Sequence, residues 1–299
     1  VTDRIRLAMT TASETYQRVR GPLADRGIDV GHVRAKERSF RLDGPGVDPE
    51  AATNAEEFDV GFVYPSRLME GAVLDRRLSV PWVNGRDAVV TSRNKAGVIA
   101  TLSAAGLPVP RTTLVSNPVD ESVVVEAAAD FEFPVVVKPN SATRGVGVAK
   151  ATDLDSLLGI VDYLDLVHDY RATGDKSYLI QEFLPDARDY RAMVVDGAYA
   201  GAVRRELPPD ALAAGRWKHN VHRGADARGV ELGREGRELA ERTAAALGID
   251  YLGVDLLETD DGFVLNETNA RPTVDAATKY EPGFYDRLAG LIRRVAKSE

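Results

Sequence analysis

The sequence predicts a mixed chain, α/β at its beginning and α+β afterwards, folded as two or three subdomains around a cleft. Three observations predict it. Between residues 5 and 83, short apolar runs with strand character alternate with a helical stretch and polar connections. Further on, Asp196-Gly197 and Asp260-Asp261-Gly262 each separate two apolar runs, the signature of antiparallel hairpins. With 299 residues, 44% of them hydrophobic, the chain is near the upper size for one core, which favours division.

Each element follows from local signals. Residues 5–9 are the first apolar run and 10–13 a polar turn. Residues 15–25 read as a helix stopped by Gly27, 28–33 as the next strand, and 57–64 as another. Residues 38–50, with their glycines and prolines, read as a loop, and 81–85 as a short strand closing this unit. Ser92 reads as the cap of a helix whose stripe is Val98, Ile99 and Leu102 and whose end is Gly106. Pro108 and Pro110 constrain an extended crossing into a strand at 112–115. Residues 120–131 read as helix, and 133–138 as a strand ending at Lys138. After a glycine-containing loop, 148–150 complete a hairpin-like flap. The amphipathic helix 153–168, capped by Asp153, carries most of its apolar surface on Leu154, Leu157, Leu158, Val161, Leu164 and Leu166. Strands follow at 177–184, 189–195 and 198–204, then a short helical segment at 207–214 and a polar, basic loop at 217–229, expected to be mobile or to cover a ligand. A helix at 234–247 stops at Gly248, the hairpin 251–269 follows, and a last helix turns Phe284, Leu288, Leu291, Ile292 and Val295 inward. The expected division is 1–83, 84–116, 117–184 and 185–299.

Composition narrows the function. A formal charge of −8 argues against broad nucleic-acid binding, yet is compatible with ATP, whose charge magnesium masks. Without cysteine, disulfides, thiolate catalysis, zinc–cysteine sites and iron–sulfur clusters are excluded, and a cytoplasmic location is expected. The charged opening Val1-Thr-Asp-Arg-Ile-Arg-Leu7 reads as no signal peptide, and no apolar run approaches the roughly eighteen residues of a membrane span.

Several groups point to chemistry, each beside a plainer reading. Asp255, Glu267 and Asn269 lie in or beside apolar strand arms. Glu267 and Asn269 are two apart and share a face. If Asp255 pairs with that face, three oxygens converge and suit Mg2+ or Mn2+; otherwise they are ordinary strand-end salt bridges. Lys138 leaves its strand before a loop holding Ser141, Arg144, Gly145 and Gly147. Such a loop makes a nest of N–H groups for phosphate, or an ordinary flexible turn, and it is not a Walker A loop. Lys95 begins a helix, against the dipole preference, unless a phosphate is shared there. Gln181, Glu182, Phe183 and Leu184 suit an adenine edge and its faces, and Asp189 suits ribose hydroxyls; the plainer reading is an interdomain connector. Arg191 and Arg204 lie on adjacent strands, so their guanidinium groups are expected in one cleft or on a solvated basic face. Lys218, Asn220, His222 and Arg223 fill the basic loop, where His222 is a structural hydrogen-bonding group or faces phosphate. Arg271 holds a substrate carboxylate or pairs with an acid such as Glu267.

The order of these pieces, with Ser92-Arg-Asn-Lys95, Gly106-Leu-Pro-Val-Pro110, Pro134-Val-Val-Val-Lys-Pro139, Asn220-Val-His-Arg-Gly224 and Gly253-Val-Asp-Leu-Leu257, resembles the ATP-grasp carboxylate–amine ligases, especially the RimK-like α-L-glutamate ligase branch. The likeness covers roughly residues 83–296, and the first segment suits a preATP-grasp domain. It implies an ATP-grasp fold with the nucleotide cleft between two α+β subdomains. It implies that Lys95 and Lys138 contact ATP phosphates, that Glu182, Phe183 and Leu184 line the adenine pocket, and that Asp189 binds ribose. Asp255, Glu267 and Asn269 would hold two Mg2+ ions, or Mn2+. Arg204 and Asn220 would lie near phosphoryl transfer, and Arg191 and Arg223 would contact substrate. The implied partners are L-glutamate or another amine donor and a carboxylate acceptor, with no nucleic acid or membrane, and a homo-oligomer is left open. Rival readings are an ATP-grasp enzyme using another amine or carboxylate, and a non-catalytic nucleotide-binding protein. Where many relatives carry Ser-Pro-Gly after the metal asparagine, this chain has Ala270-Arg271-Pro272-Thr273, and its flap contains Thr143-Arg144.

Overall fold

A computed structural model describes residues 4–35, 39–40, 42, 58–143, 145–167, 175–219, 221 and 224–298. The expected loop 38–50 lies largely outside them, as do Arg144, Asn220, His222 and Arg223.

The first sheet is parallel, in the order β2-β1-β3-β4, from β1 (Ile5–Met9), β2 (Ile28–His32), β3 (Val60–Val63) and β4 (Trp82–Asn84). Helix α1 (Glu14–Ala24) connects β1 to β2, and α2 (Leu68–Leu78) connects β3 to β4. Helix α2 was not expected from the sequence. Its buried face is Leu68, Gly71, Leu74 and Leu78, a 3–4 spacing in which glycine interrupts the apolar signal. Glycine is required there because a Cβ at Gly71 would lie 2.6 Å from the Tyr64 ring.

Two helices follow rather than one: α3 (Arg86–Arg93) and α4 (Lys95–Ala104). Ser92 is therefore not the cap. It is buried within α3, and Asn94 caps α4 by accepting from Gly97 N at 3.0 Å.

The second sheet has the order β5-β8-β6-β7, from β5 (Thr112–Val115), β6 (Val135–Pro139), β7 (Ala149–Ala151) and β8 (Tyr178–Glu182). Helices α5 (Glu121–Ala128) and α6 (Leu154–Val167) cover it, closing a separate core on Val124, Val135, Val137, Leu157, Tyr178 and Ile180. The expected Asp153 cap is present, its Oδ1 accepting from Ser156 N at 2.7 Å.

The third sheet is antiparallel, β11-β10-β9-β12-β13, from β9 (Arg188–Val195), β10 (Ala198–Glu206), β11 (Asp226–Val230), β12 (Tyr251–Thr259) and β13 (Gly262–Asn269). The basic loop expected over 217–229 is thus partly strand. As an edge strand, β11 is held by its backbone to β10 and needs no alternating apolar residues, so its sequence carries little strand signal. Short α7 (Pro209–Ala213), then α8 (Arg234–Leu247) and α9 (Phe284–Ala296), complete the chain. Gly248 ends α8 in the left-handed region at φ 64°.

Packing unites the two ends of the chain. Leu7, Leu23 and Phe62 of the first subdomain share one core with Val194, Leu256, Leu288 and Ile292 of the last, and Phe62 meets Tyr251 with ring centroids 4.9 Å apart. Each such fully buried side chain contributes about 1.5–3 kcal/mol of transfer free energy. The second sheet thus stands apart by its core, with the cleft between it and the third.

Candidate functional site

The cleft has a volume of about 480 Å3, a size that suits a nucleotide. Lys95, Lys138, Gly145, Gln181, Glu182, Phe183, Leu184, Asp189, Arg204, Asp255 and Glu267 all line it, so eleven of the expected residues converge. Arg191, Ser141, Gly147, Asn269 and Arg271 lie outside its lining.

At one end are two lysines, 6% and 5% exposed: Lys95 at the start of α4 and Lys138 on β6. Lys95 Nζ lies 3.2 Å from Glu267 Oε1 and donates to Ala142 O. The α4 terminus is served by Asn94 and by Asn140, whose Oδ1 accepts from Ala96 N at 2.8 Å. The Glu267 carboxylate thus relieves the conflict between Lys95 and the helix dipole. Burial, assisted by repulsion from Lys95, pushes Lys138 down to about 8, although Glu267 and Asp255 oppose the shift.

The floor is a row of buried charges on the third sheet. Asp255 lies directly opposite Glu267 across β12–β13 and opposite Arg191 across β9–β12. Arg191 grips Asp255 with both arms, Nε–Oδ1 at 2.6 Å and Nη2–Oδ2 at 2.8 Å. Arg205 joins Asp189 at 2.5 Å to Asp255 at 3.2 Å. Burial alone would raise the Asp255 carboxyl, but the two guanidinium groups outweigh it and hold it at about 2. Asp189 is pushed up by burial, against the pull of Arg205.

Arg205 is the main residue missing from the sequence reading, and it corrects the expectation that Arg191 and Arg204 meet. Pairing from the Asp196-Gly197 turn is regular to Tyr199 and then shifts by one before Gly201. This bulge sets Arg205, not Arg204, opposite Asp189 on the face of Arg191. Arg204 lies opposite Tyr190 and pairs with Glu206 at 2.7 Å. A second bulge falls at Asn266, which also lines the cleft and whose carbonyl lies 3.5 Å from Lys138 Nζ. Asn269 Oδ1 accepts from Arg271 N at 2.8 Å.

The other end is aromatic. Phe183 meets Trp217 edge-on, centroids 5.8 Å apart, and Lys150 Nζ lies 4.7 Å from the Phe183 centroid. Lys218 donates to Val148 O, tying the segment after α7 to the flap. Glu182 accepts from Arg111 N at 2.7 Å, and Gln181 Nε2 donates to Thr112 Oγ1 at 2.8 Å, which fixes the connector between the sheets. Ser141 bonds Asp175. In the flap, Gly147 at φ 73° packs so closely that a Cβ would lie 2.7 Å from Pro139 Cγ.

The donors fit a nucleotide with a hard cation. Asp255 and Glu267 supply carboxylate oxygens and Asn266 or Asn269 an amide oxygen, a set that suits Mg2+ or Mn2+. Among the described residues no three His, Cys, Asp or Glu side chains gather as a metal cluster. Lys95 is the cation at ion-pair distance from Glu267 among the described residues, whereas both Asp255 oxygens are engaged by arginines. Glu267 is therefore the more available ligand.

Two α+β subdomains clasping a nucleotide-sized cleft, preceded by a small parallel α/β unit, define an ATP-grasp protein. The chain belongs to the RimK-like ATP-grasp domain family, whose family model matches residues 92–282. It is 26% identical over 259 residues to a probable alpha-L-glutamate ligase of Shewanella halifaxensis, covering 84% of this chain and 54% of the relative. It is 30% identical over 213 residues to one from Psychromonas ingrahamii, covering 70% and 65%. The chain thus spans between half and two thirds of the length of these curated relatives. Among solved structures it is similar to D-cycloserine synthetase DcsG (TM-score 0.71, 20% identity, 98% and 99% covered). It is also similar to a RimK-domain ATP-grasp protein of Sphaerobacter thermophilus (TM-score 0.66, 21% identity, 98% and 100% covered). Among the described residues, no helix is long and apolar enough to cross a membrane.

Proposed function

We propose that the protein is an ATP-dependent, ADP-forming carboxylate–amine ligase that works through an acylphosphate and adds L-glutamate to a small-molecule or peptide carboxylate. The observation that carries this reading is the pair of buried lysines beside Glu267 in the cleft, with Asp255 held ionised next to it. A carboxylate is a poor acyl donor because oxide is a poor leaving group. Phosphorylation supplies a better one, and an amine then displaces phosphate to form the amide. Lys95 and Lys138 stabilise the charge on the transferring phosphoryl group, and Arg205 holds the Asp255 carboxylate in place. A bound divalent cation would rest on Glu267, Asp255 and an asparagine oxygen, and would neutralise phosphate charge. The flap and the Trp217–Lys218 segment cover the nucleotide and keep water from the activated acyl group.

Glutamate as the amine rests on the curated relatives, each named a probable alpha-L-glutamate ligase. A second reading keeps the mechanism and changes the amine or carboxylate. The Ala270-Arg271-Pro272-Thr273 segment favours it, as do structural relatives as different as D-cycloserine synthetase and the ligase PsnB complexed with a precursor peptide. A cytoplasmic location and the division at residues 83, 116 and 184 belong to the same proposal.

The test is nucleotide turnover with magnesium on a pool of cell metabolites, with and without L-glutamate, followed by mass spectrometry. ADP with a product heavier by one glutamyl residue is expected. AMP formation would argue for adenylation instead. Glu267→Gln and Lys138→Met are each expected to lower turnover about a thousandfold, far beyond their effect on folding. Full ligation by both purified variants would sink the assignment.

A further inference from the structure

The first sheet has an arginine site that the cleft does not use. In the order β2-β1-β3-β4, the chain leaves β1 through α1 toward one side and leaves β3 through α2 toward the other. The loops after β1 and β3 therefore part at the carboxyl ends of their strands, the place where open α/β sheets bind ligands. Arg271 reaches that crevice from the third sheet. Its Nη1 donates to Tyr64 O, just after β3, and its Nη2 to Thr11 Oγ1 at 3.3 Å, just after β1. Arg93 donates to Ser66 O at 3.1 Å, so two guanidinium groups grasp the same short loop after β3.

Among the described residues no carboxylate lies at ion-pair distance from Arg93 or Arg271, and the groups they bond are the neutral oxygens of Ser66, Tyr64 and Thr11. The backbone that carries Arg271 is also held firmly. Ala270 N donates to Ser92 Oγ at 2.9 Å, Asn84 Nδ2 to Ala270 O at 2.7 Å, and Val274 N to Thr15 Oγ1 at 3.0 Å. Such fixing of a charged fork by three neighbouring elements is what recognition of a planar anion requires.

We propose that Arg93 and Arg271 form a carboxylate-binding subsite at the carboxyl ends of β1 and β3, which holds a carboxylate of a ligase substrate that does not itself react. The inference rests on the ligase reading for which molecule brings the carboxylate. Strand β13 links the two places, since Glu267 lines the cleft and Arg271 follows four residues later. The phosphoryl end already has Lys95 and Lys138, so an anion held by the two arginines is a handle for selecting the substrate. Its source is the α-carboxylate of an amino-acid amine donor or a second carboxylate of the acceptor.

The test is equilibrium binding to the whole chain with magnesium and a non-hydrolysable ATP analogue, in two arms. One titrates L-glutamate against its α-amide, the other succinate against succinamate. In one arm the compound with the extra carboxylate is expected to bind about tenfold tighter or more, and the arm names the source. That margin is expected to vanish in Arg271→Gln and in Arg93→Gln. The second variant serves if the first fails to fold, because Arg93 contributes one hydrogen bond to the loop. Equal binding of acid and amide in both arms, no binding in either, or an unchanged margin in folded Arg93→Gln overturns the proposal. Wild-type protein that makes no amide from ATP would instead sink the ligase reading and leave the binding margin to stand.

Discussion

Two hairpins floor the cleft, and each carries one residue more on its second strand than unbroken pairing from its turn would allow. From Asp196-Gly197, unbroken pairing sets Arg204 against Asp189; the extra residue, Ala200, brings Arg205 there instead. From Asp260-Asp261, unbroken pairing sets Asn266 against Asp255; the bulge at Asn266 brings Glu267 there. Because side chains alternate faces with period two, each slip exchanges which residue meets the cleft floor. The outcomes differ. The first slip closes a charge ladder, with Arg205 between Asp189 and Asp255. The second delivers a carboxylate that meets Lys95 and keeps part of its surface in the cleft. The same backbone device thus serves order in one hairpin and an available ligand in the other.

The comparison breaks most sharply at Arg204 and Arg205. Arg205→Gln leaves two buried carboxylates short of their cation and is expected to cost about 3–5 kcal/mol of unfolding free energy. Arg204→Gln removes a partly exposed pair with Glu206 and is expected to cost about 1 kcal/mol or less. Denaturant unfolding of the two variants checks this, and the reverse ranking would show that the first bulge is misplaced.

A smaller effect tests the bulge itself. Gly201 has φ 132°, and a Cβ there would lie 2.7 Å from Tyr280 Cα. Gly201→Ala is expected to cost about 1–3 kcal/mol through backbone strain and that contact. A change within about 0.5 kcal/mol would mean that the bulge relaxes freely.

These bulges mark the limit of what the sequence discloses. The turns and most strands were legible because they rest on local signals, Asp-Gly turns and apolar runs, whereas the gathering of Lys95, Lys138 and Glu182 with Asp255 was legible only through the family resemblance that their order carries. The exchange of Arg204 for Arg205 was not, since nothing local in the sequence marks the extra residue at Ala200, and the close neighbour of Gly201, Tyr280, comes from far along the chain. Strand β11 was hidden because its pairing uses backbone groups alone, whereas α2 had a readable leucine spacing that Gly71 obscured. The crevice arginines were half legible. Arg271 stood out beside the metal strand, but Arg93 gains its meaning only when the first sheet brings Ser66 to it.

The smallest effect sharpens the comparison from the opposite wall, where Lys138 approaches the carbonyl of the second bulge residue, Asn266. Burial moves Lys138 from its ordinary 10.5 to about 8. A phosphate is gripped by the charged form, so affinity for magnesium ATP is greatest below pH 8 and falls as pH rises through that value. Between about pH 7 and 8.5 the loss is expected to be about fourfold, the factor by which the uncharged fraction then competes. Stability runs the other way. The folded pKa lies below the unfolded one, so burying the charge is unfavourable below about pH 8, and that cost is relieved as pH rises from there toward 10.5. Lys138→Arg keeps its charge throughout, and its affinity profile should stay flat over the same window. Nucleotide titrations of both proteins at several pH values decide the matter: parallel profiles would show that Lys138 holds its proton throughout and that the wall facing the second hairpin is wetter than its burial implies.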